Sequence, residues 1–281
     1  MQLTTLIQYI LPHHLLSRLI GKLANSKSIW LKNFLIDCFI KHYKIDMSTA
    51  VETNPHNYPN FNALFTRALL SKARPIDNNQ QTIISPVDAK ISQFGAINRE
   101  KLIQAKGFTF DLSTLLSDKL KIYSDQLING NFITLYLSPS DYHRIHMPLD
   151  GKLLAMAHIP GKLFSVNNST VNTIPQVFTR NERVAVIFET IIGPIAVVMV
   201  GAMLVASISI PWEKIPTPAK TIASWDYTQQ SIMITRGSEI GQFQFGSTVI
   251  LIFPSQTTKL LESLHINSKV LVGEKLALIP I

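Results

Sequence analysis

The chain has 281 residues, 46% hydrophobic and only 16% charged: enough apolar mass for a sizeable core and too little charge for extended disorder. Twenty-six Lys and Arg against eighteen Asp and Glu give a net charge of +8, which calls for an anionic partner. The basic residues lie scattered among aliphatic ones, which argues against nucleic acid and for an anionic membrane surface. A single cysteine, Cys38, excludes an internal disulfide and a multi-cysteine zinc site.

The N-terminus does not read as a signal peptide, because its first basic residue, Arg18, follows the apolar stretch and Pro12 interrupts it. Residues 1 to 47 are predicted as helices. Leu3, Leu6, Ile7 and Ile10 recur at helical spacing before Pro12. Leu15, Leu16, Leu19, Ile20 and Leu23 form a second apolar face, with Arg18 and Lys22 set off from it. A third helix begins near Ser28, a residue suited to N-capping. It places Trp30, Leu31, Phe34, Leu35, Cys38 and Phe39 on one side and Lys32, Asp37 and Lys41 on the other. With six Lys or Arg and two Asp or Glu before Met47, such helices either pack on a core or lie in a membrane interface. Periodicity leaves both open.

After Pro55 the texture changes to short β-like runs punctuated by Gly, Pro, Asn and Asp: Thr82 to Ile84, Phe132 to Leu137, Val184 to Glu189, Val249 to Phe253. The expected class is α+β, with N-terminal amphipathic helices followed by a predominantly antiparallel sheet or barrel-like domain. Thr190 to Trp212 carries no charge and is long enough to span a bilayer. Gly193-Pro194 and Gly201 punctuate it, and its runs Ile195 to Val200 and Met203 to Ile210 are rich in β-branched residues. It is predicted as two buried strands joined by turns. Near the end, Val270, Gly273 and Leu276 in KVLVGEKLALI are similar to a lipoyl-type turn, without the hairpin lysine of a swinging-arm carrier.

Three stretches could carry chemistry. Ser85-Pro86-Val87-Asp88-Ala89 puts an acid where a β run meets a turn, although turn capping alone explains such an Asp. SPSDYHRIHMP, Ser138 to Pro148, holds His143 and His146 three apart, with no further metal ligand nearby. Phe245-Gly246-Ser247-Thr248 precedes an apolar strand, a setting unlike the G-x-S-x-G elbow of ordinary hydrolases. Glycine before the serine lets the hydroxyl approach the preceding carbonyl. Acid, histidine and serine together are the parts of an oriented nucleophile.

SPVDAKISQFG, QAKGF, TLYLSPSDYHRIHMPLDGKL, IPGKLFSVN, RNERVAVIFE, GPIAVVMVGAMLVASI and GQFQFGSTVI occur in this order, preceded by KHYKIDM and FNALFTRALLSKARPID. The series resembles the bacterial, membrane-associated phosphatidylserine decarboxylases from near the N-terminus to at least Phe253. Three positions in two motifs depart from the family's usual pattern: Val87 and Ala89 flank Asp88 where P-A-D-G has alanine and glycine, and Phe245 stands where L-G-S-T has leucine. Ala89 puts the local turn in question, since alanine adopts positive φ only at a cost.

The resemblance implies a mechanism. His146, oriented by Asp88, acts as base toward Ser247, whose oxygen attacks the Gly246 carbonyl. A β chain of residues 1–246 is released, and Ser247 becomes a pyruvoyl group heading an α chain of residues 247–281. That group forms a Schiff base with the amine of phosphatidylserine and takes up electrons as carbon dioxide leaves. His143 is implied as proton donor to Cα. The resemblance further implies a homodimer, peripheral attachment to the cytoplasmic face of the cell membrane, and a division into a membrane-associating segment 1–47 and a catalytic domain 48–281. Two other readings compete: a hydrolase using Asp88, His146 and Ser247 without self-processing, and a catalytically silent membrane-binding β protein.

Overall fold

The computed structural model describes residues 8–105, 107–203, 208–215, 219–244 and 247–280. Helices α1 (His13–Ala24) and α2 (Ile29–Tyr43) come first, and a short α3 (Phe61–Phe65) follows. α3 starts where it does because the Asn60 side chain accepts from the Ala63 N–H. The three helices share a core of Ala24, Ile36, Phe39, Phe61, Leu64 and Phe65.

α1 turns its small and polar face inward rather than its oily one, and α2 leaves large aromatic side chains outside. α1 buries His13, Ser17, Gly21 and Ala24, while Leu15, Leu19 and Leu23 are 51%, 52% and 52% exposed. α2 buries Ile36 and Phe39 and leaves Trp30 and Phe34 outside, 76% and 55% exposed. Two expectations need correcting here. Lys32 does not belong to a polar outer face: it is buried, and its Nζ donates to the carbonyls of His56 and of Tyr58 (2.7 Å). Ser28 precedes α2, but its side chain makes no capping hydrogen bond. The predicted helical residues Leu3, Leu6 and Ile7 lie outside the described residues. Among the described residues no helix is long and apolar enough to cross a membrane.

Among the described residues the remainder is built on seventeen strands. In chain order the first nine are β1 (Thr82–Ile84), β2 (Ala89–Ala96), β3 (Lys101–Ala105), β4 (Phe108–Asp111), β5 (Asn131–Leu137), β6 (Arg144–His146), β7 (Gly151–Ile159), β8 (Arg183–Thr190) and β9 (Gly193–Val200). There follow β10 (Ile208–Ser209), β11 (Ala223–Asp226), β12 (Met233–Ile234), β13 (Glu239–Phe243), β14 (Ser247–Phe253), β15 (Lys259–Leu260), β16 (Lys269–Val270) and β17 (Lys275–Leu278). The main sheet runs β11-β7-β8-β9-β14-β5-β2-β16, with β12 also paired to β7. Every pairing in it is antiparallel. The α+β class therefore holds, but the sheet is open and does not close into a barrel.

Both faces of the central strands are covered, which is why they read as unbroken apolar runs rather than alternating ones. Val249, Leu251 and Phe253 of β14 enter one core, and Ile250 and Ile252 enter the other. Within the uncharged stretch 190–212, β9 is the first predicted strand. Of the second, Met203 to Ile210, only Ile208–Ser209 is strand, and residues 204–207 lie outside the described residues.

Candidate active site

Three neighbouring strands, β14, β5 and β2, assemble the chemistry by direction alone. In their antiparallel order Ser247 opposes Leu137, and Lys90 opposes Tyr136. The start of β14, the end of β5 and the start of β2 thus share one end of the sheet. Ser247, the segment beginning at Ser138, and Asp88 arrive there from positions far apart in sequence. The 138–148 segment is then pinned. Its β6 pairs with β13, where Glu239 opposes His146, and the Phe243 N–H donates to the His143 carbonyl at 3.0 Å.

Asp88 is buried, and it is not a turn cap. Arg74 Nε donates to both carboxylate oxygens (2.8 and 2.9 Å), its Nη2 also donates to Oδ2, and the Val272 N–H donates to Oδ1 at 2.9 Å. These bonds raise the Arg74 pKa, led by the hydrogen bond to Asp88 itself. The loop carrying Val272 is fixed beside Asp88 by Gly273. That residue has φ +90, and a Cβ on it would lie 2.5 Å from the Pro75 carbonyl oxygen. The capping carboxylate in this region is Asp141, which accepts from the Ser138 N–H at 2.7 Å. Ala89 opens β2 and is not among the residues with positive φ, so the turn does not require glycine there.

His146 has both ring nitrogens engaged. Nδ1 lies 2.7 Å from the Gly237 carbonyl oxygen, which only accepts, so Nδ1 carries the proton. Nε2 is then the bare nitrogen, and it accepts from the Tyr142 hydroxyl at 3.1 Å. Burial pushes the Tyr142 pKa up to about 12, so that hydroxyl stays protonated. Burial, the largest cause, also lowers the His146 pKa, and the nearby Gly237 carbonyl opposes it. The ring is a neutral base at neutral pH, with its lone pair on Nε2. Asp88, expected to orient this ring, shares no hydrogen bond with it; Gly237 and Tyr142 hold it instead.

His143 is wholly buried and lies face to face on Phe65, ring centroids 4.1 Å apart at 21°. Neither of its nitrogens makes a well-formed hydrogen bond to a described residue, although the Pro139 and Ser138 backbone lies close by. Burial first and the Arg67 charge second bring its pKa down to about 3, with the Pro139 and Ser138 backbone opposing only in part. Ser247 Oγ is buried and likewise has no hydrogen-bond partner among the described residues. Gly246 and Phe245, the expected cleavage residue and the departure beside it, lie outside the described residues. The segments carrying Asp88, His143, His146 and Ser247, the residues the motifs single out, thus meet at this end of the sheet. Arg74, Tyr142, Gly237 and Phe65, which the motifs do not single out, hold Asp88, His146 and His143. Arg74 and Phe65 stood within the quoted FNALFTRALLSKARPID, and Tyr142 within SPSDYHRIHMP.

The profile of a family described as phosphatidylserine decarboxylase matches residues 61–278, and a second, described as PSD, matches residues 3–44. A phosphatidylserine decarboxylase proenzyme of Azotobacter vinelandii is 48% identical over 251 residues, 88% of this chain and 87% of the relative. Proenzymes of that name from Ectopseudomonas mendocina (46% identity, 98% of this chain and 97% of the relative) and Bordetella pertussis (44%, 99% and 94%) match almost end to end.

Proposed function

Because the chain belongs to the phosphatidylserine decarboxylase family, we propose that it cuts itself between Gly246 and Ser247 and then converts phosphatidylserine to phosphatidylethanolamine. The observation that supports self-processing is the Ser247 hydroxyl, buried without a partner among the described residues at the sheet end it shares with the segments carrying His146 and Asp88. A buried hydroxyl normally finds a hydrogen bond. One not engaged elsewhere suits an oxygen that must attack its own chain, and the same burial suits a pyruvoyl ketone that must not be hydrated.

In this reading His146 Nε2 leaves the Tyr142 hydroxyl and takes the Ser247 proton, while Nδ1–H stays on the Gly237 carbonyl and carries the resulting positive charge. The Ser247 oxygen bonds to the Gly246 carbonyl carbon, the peptide C–N bond breaks, and an ester replaces it. Proton loss from Ser247 Cα then expels the β-chain carboxylate at Gly246, and water releases ammonia from the new α-chain terminus. The 35-residue α chain (281 − 246) begins with the pyruvoyl group. When present, that group supplies a ketone that takes the substrate amine and accepts the electron pair freed by carbon dioxide loss. The surrounding residues exclude water and return a proton to Cα. His143 fits that last role: an anionic head group arriving beside it favours its protonated form, which burial alone disfavours. A His143→Ala chain that matures normally yet decarboxylates at the wild-type rate would remove this assignment.

Residues 1–47 are the proposed membrane-associating part and 48–281 the catalytic part. Exposed Leu15, Leu19, Leu23, Trp30 and Phe34, with Arg18 and Lys22 close by in sequence, support peripheral attachment to an anionic leaflet such as the cytoplasmic face of the cell membrane. The decisive test of the enzyme is release of carbon dioxide and phosphatidylethanolamine from phosphatidylserine vesicles by the self-cut protein. No release by fully cut protein would overturn the reading.

A further inference from the structure

Arg67 is buried, and among the described residues its Nε and Nη1 have no hydrogen-bond partner. It is not in a salt bridge with any described residue. Asp88 is held by Arg74, and Glu239 is held by Arg144. The other buried arginine in the sheet domain, Arg183, shows how a structural guanidinium is housed. Its nitrogens donate to the carbonyls of Thr114, Leu115, Thr179 and Asn181. Nε and Nη1 of Arg67 have no such cradle among the described residues. An unpaired buried cation is among the costlier things a fold can hold, so a site that keeps one is built for an anion that arrives later.

Its backbone is held beside the reaction. Two residues earlier, Phe65 stacks on the His143 ring, and the Thr66 carbonyl between them accepts from Arg144 Nε at 2.9 Å. The Arg67 N–H itself donates to the Leu64 carbonyl at 3.1 Å. Arg144 in turn stands on β6, two residues before His146.

We infer that Arg67 is the anchor for the phosphodiester of the lipid head group, its guanidinium fork pairing with two phosphate oxygens while the serine moiety lies at Ser247. This inference rests on the decarboxylase reading for the identity of the anion. The substrate offers two anions, and the chemistry chooses between them. A guanidinium on the carboxylate would stabilise the charge that decarboxylation must disperse, and so raise the barrier. The phosphodiester keeps its charge throughout, so pairing it lowers KM and leaves kcat nearly alone.

The test uses full-length, self-cut protein as wild type, Arg67→Gln and Arg67→Lys. Calorimetry reads the Kd for sn-glycero-3-phosphoethanolamine, a phosphodiester without a carboxylate, and for L-serine, a carboxylate without a phosphate. The expected result is a Kd for the phosphodiester weakened roughly 10- to 100-fold in Arg67→Gln, the range of a lost charge-assisted pair, with partial recovery in Arg67→Lys. Serine binding should be unchanged, both variants should still be cut by intact mass, KM for phosphatidylserine should rise in parallel, and the Tm of Arg67→Gln should not fall. An unchanged phosphodiester Kd, a loss confined to serine, a lowered Tm with unchanged binding, or failure of both variants to cut would each overturn the inference. If wild type binds the phosphodiester but releases no carbon dioxide, the decarboxylase reading falls, while the Kd comparison still judges Arg67.

Discussion

At the scale of single residues, His143 sets the sign of a pH effect. In the unfolded chain it titrates near the ordinary histidine value of 6.5, and in the fold its pKa is about 3. Between those values the unfolded state binds more protons, so stability is complete above pH 6.5 and falls as the pH drops toward 3. The slope from this one group is about 1.4 kcal/mol per pH unit. His13 and His146, also lowered by burial, add to it in the same direction. Denaturant unfolding of uncut Ser247→Ala protein at pH 7, 6 and 5 should show the decline, and adding His143→Gln should flatten it. An equal slope in both would contradict the burial account. Arg74 makes a second prediction, because replacing it with Gln strands the buried Asp88 carboxylate on the Val272 N–H alone. We expect a loss of about 3–5 kcal/mol in the same unfolding measurement, the usual penalty for breaking a buried pair from one side. Asp88, His143, His146 and Ser247 were legible because they sit inside short motifs of unusual composition. The Gly237 carbonyl that fixes the His146 tautomer was not, since it lies 91 residues away and backbone carbonyls leave no mark on a sequence.

At the scale of elements, periodicity identified an apolar face on α1 and an apolar face on α2 but not which way each points. α1 turns Ser17 and Gly21 inward because small residues allow close approach, which leaves Leu15, Leu19 and Leu23 outward. Replacing those three leucines with serine should weaken binding to anionic vesicles about a hundredfold or more, given roughly 1 kcal/mol or more per leucine returned to water. The Tm should change little, because the three side chains are half exposed. Retained sedimentation with vesicles would remove the membrane role of this face. Point substitutions are cleaner here than truncation. α2 packs through Phe39 on Phe61 and Phe65, and Phe65 lies on His143, so removing residues 1–47 would strip support from the site itself. The short strands were legible for a different reason: the central runs of β5, β8, β9 and β14 are apolar on both faces because both sheet faces are covered. Which of the two expected forms the strands take, an open sheet or a barrel-like closure, was not legible, since strand order depends on pairings between distant segments.

Across the whole molecule, the proposed cut falls immediately before β14, the strand between β9 and β5 in the main sheet. The α chain would carry β14 through β17 and remain paired to β5, β9, β2 and β1 of the β chain. All seven residues of β14 are fully buried. The two chains should therefore co-elute as one native particle after the peptide bond is gone, and separate only in denaturant. Separation under native conditions would mean that the cut lies elsewhere or that the sheet opens. The direct test of self-processing at Ser247 is the intact mass of wild-type and Ser247→Ala protein in denaturant. We expect two wild-type masses, residues 1–246 and a ketone-headed 247–281, and one full-length mass for Ser247→Ala. A single full-length wild-type mass with an unmodified serine, after incubation with membranes, would contradict it.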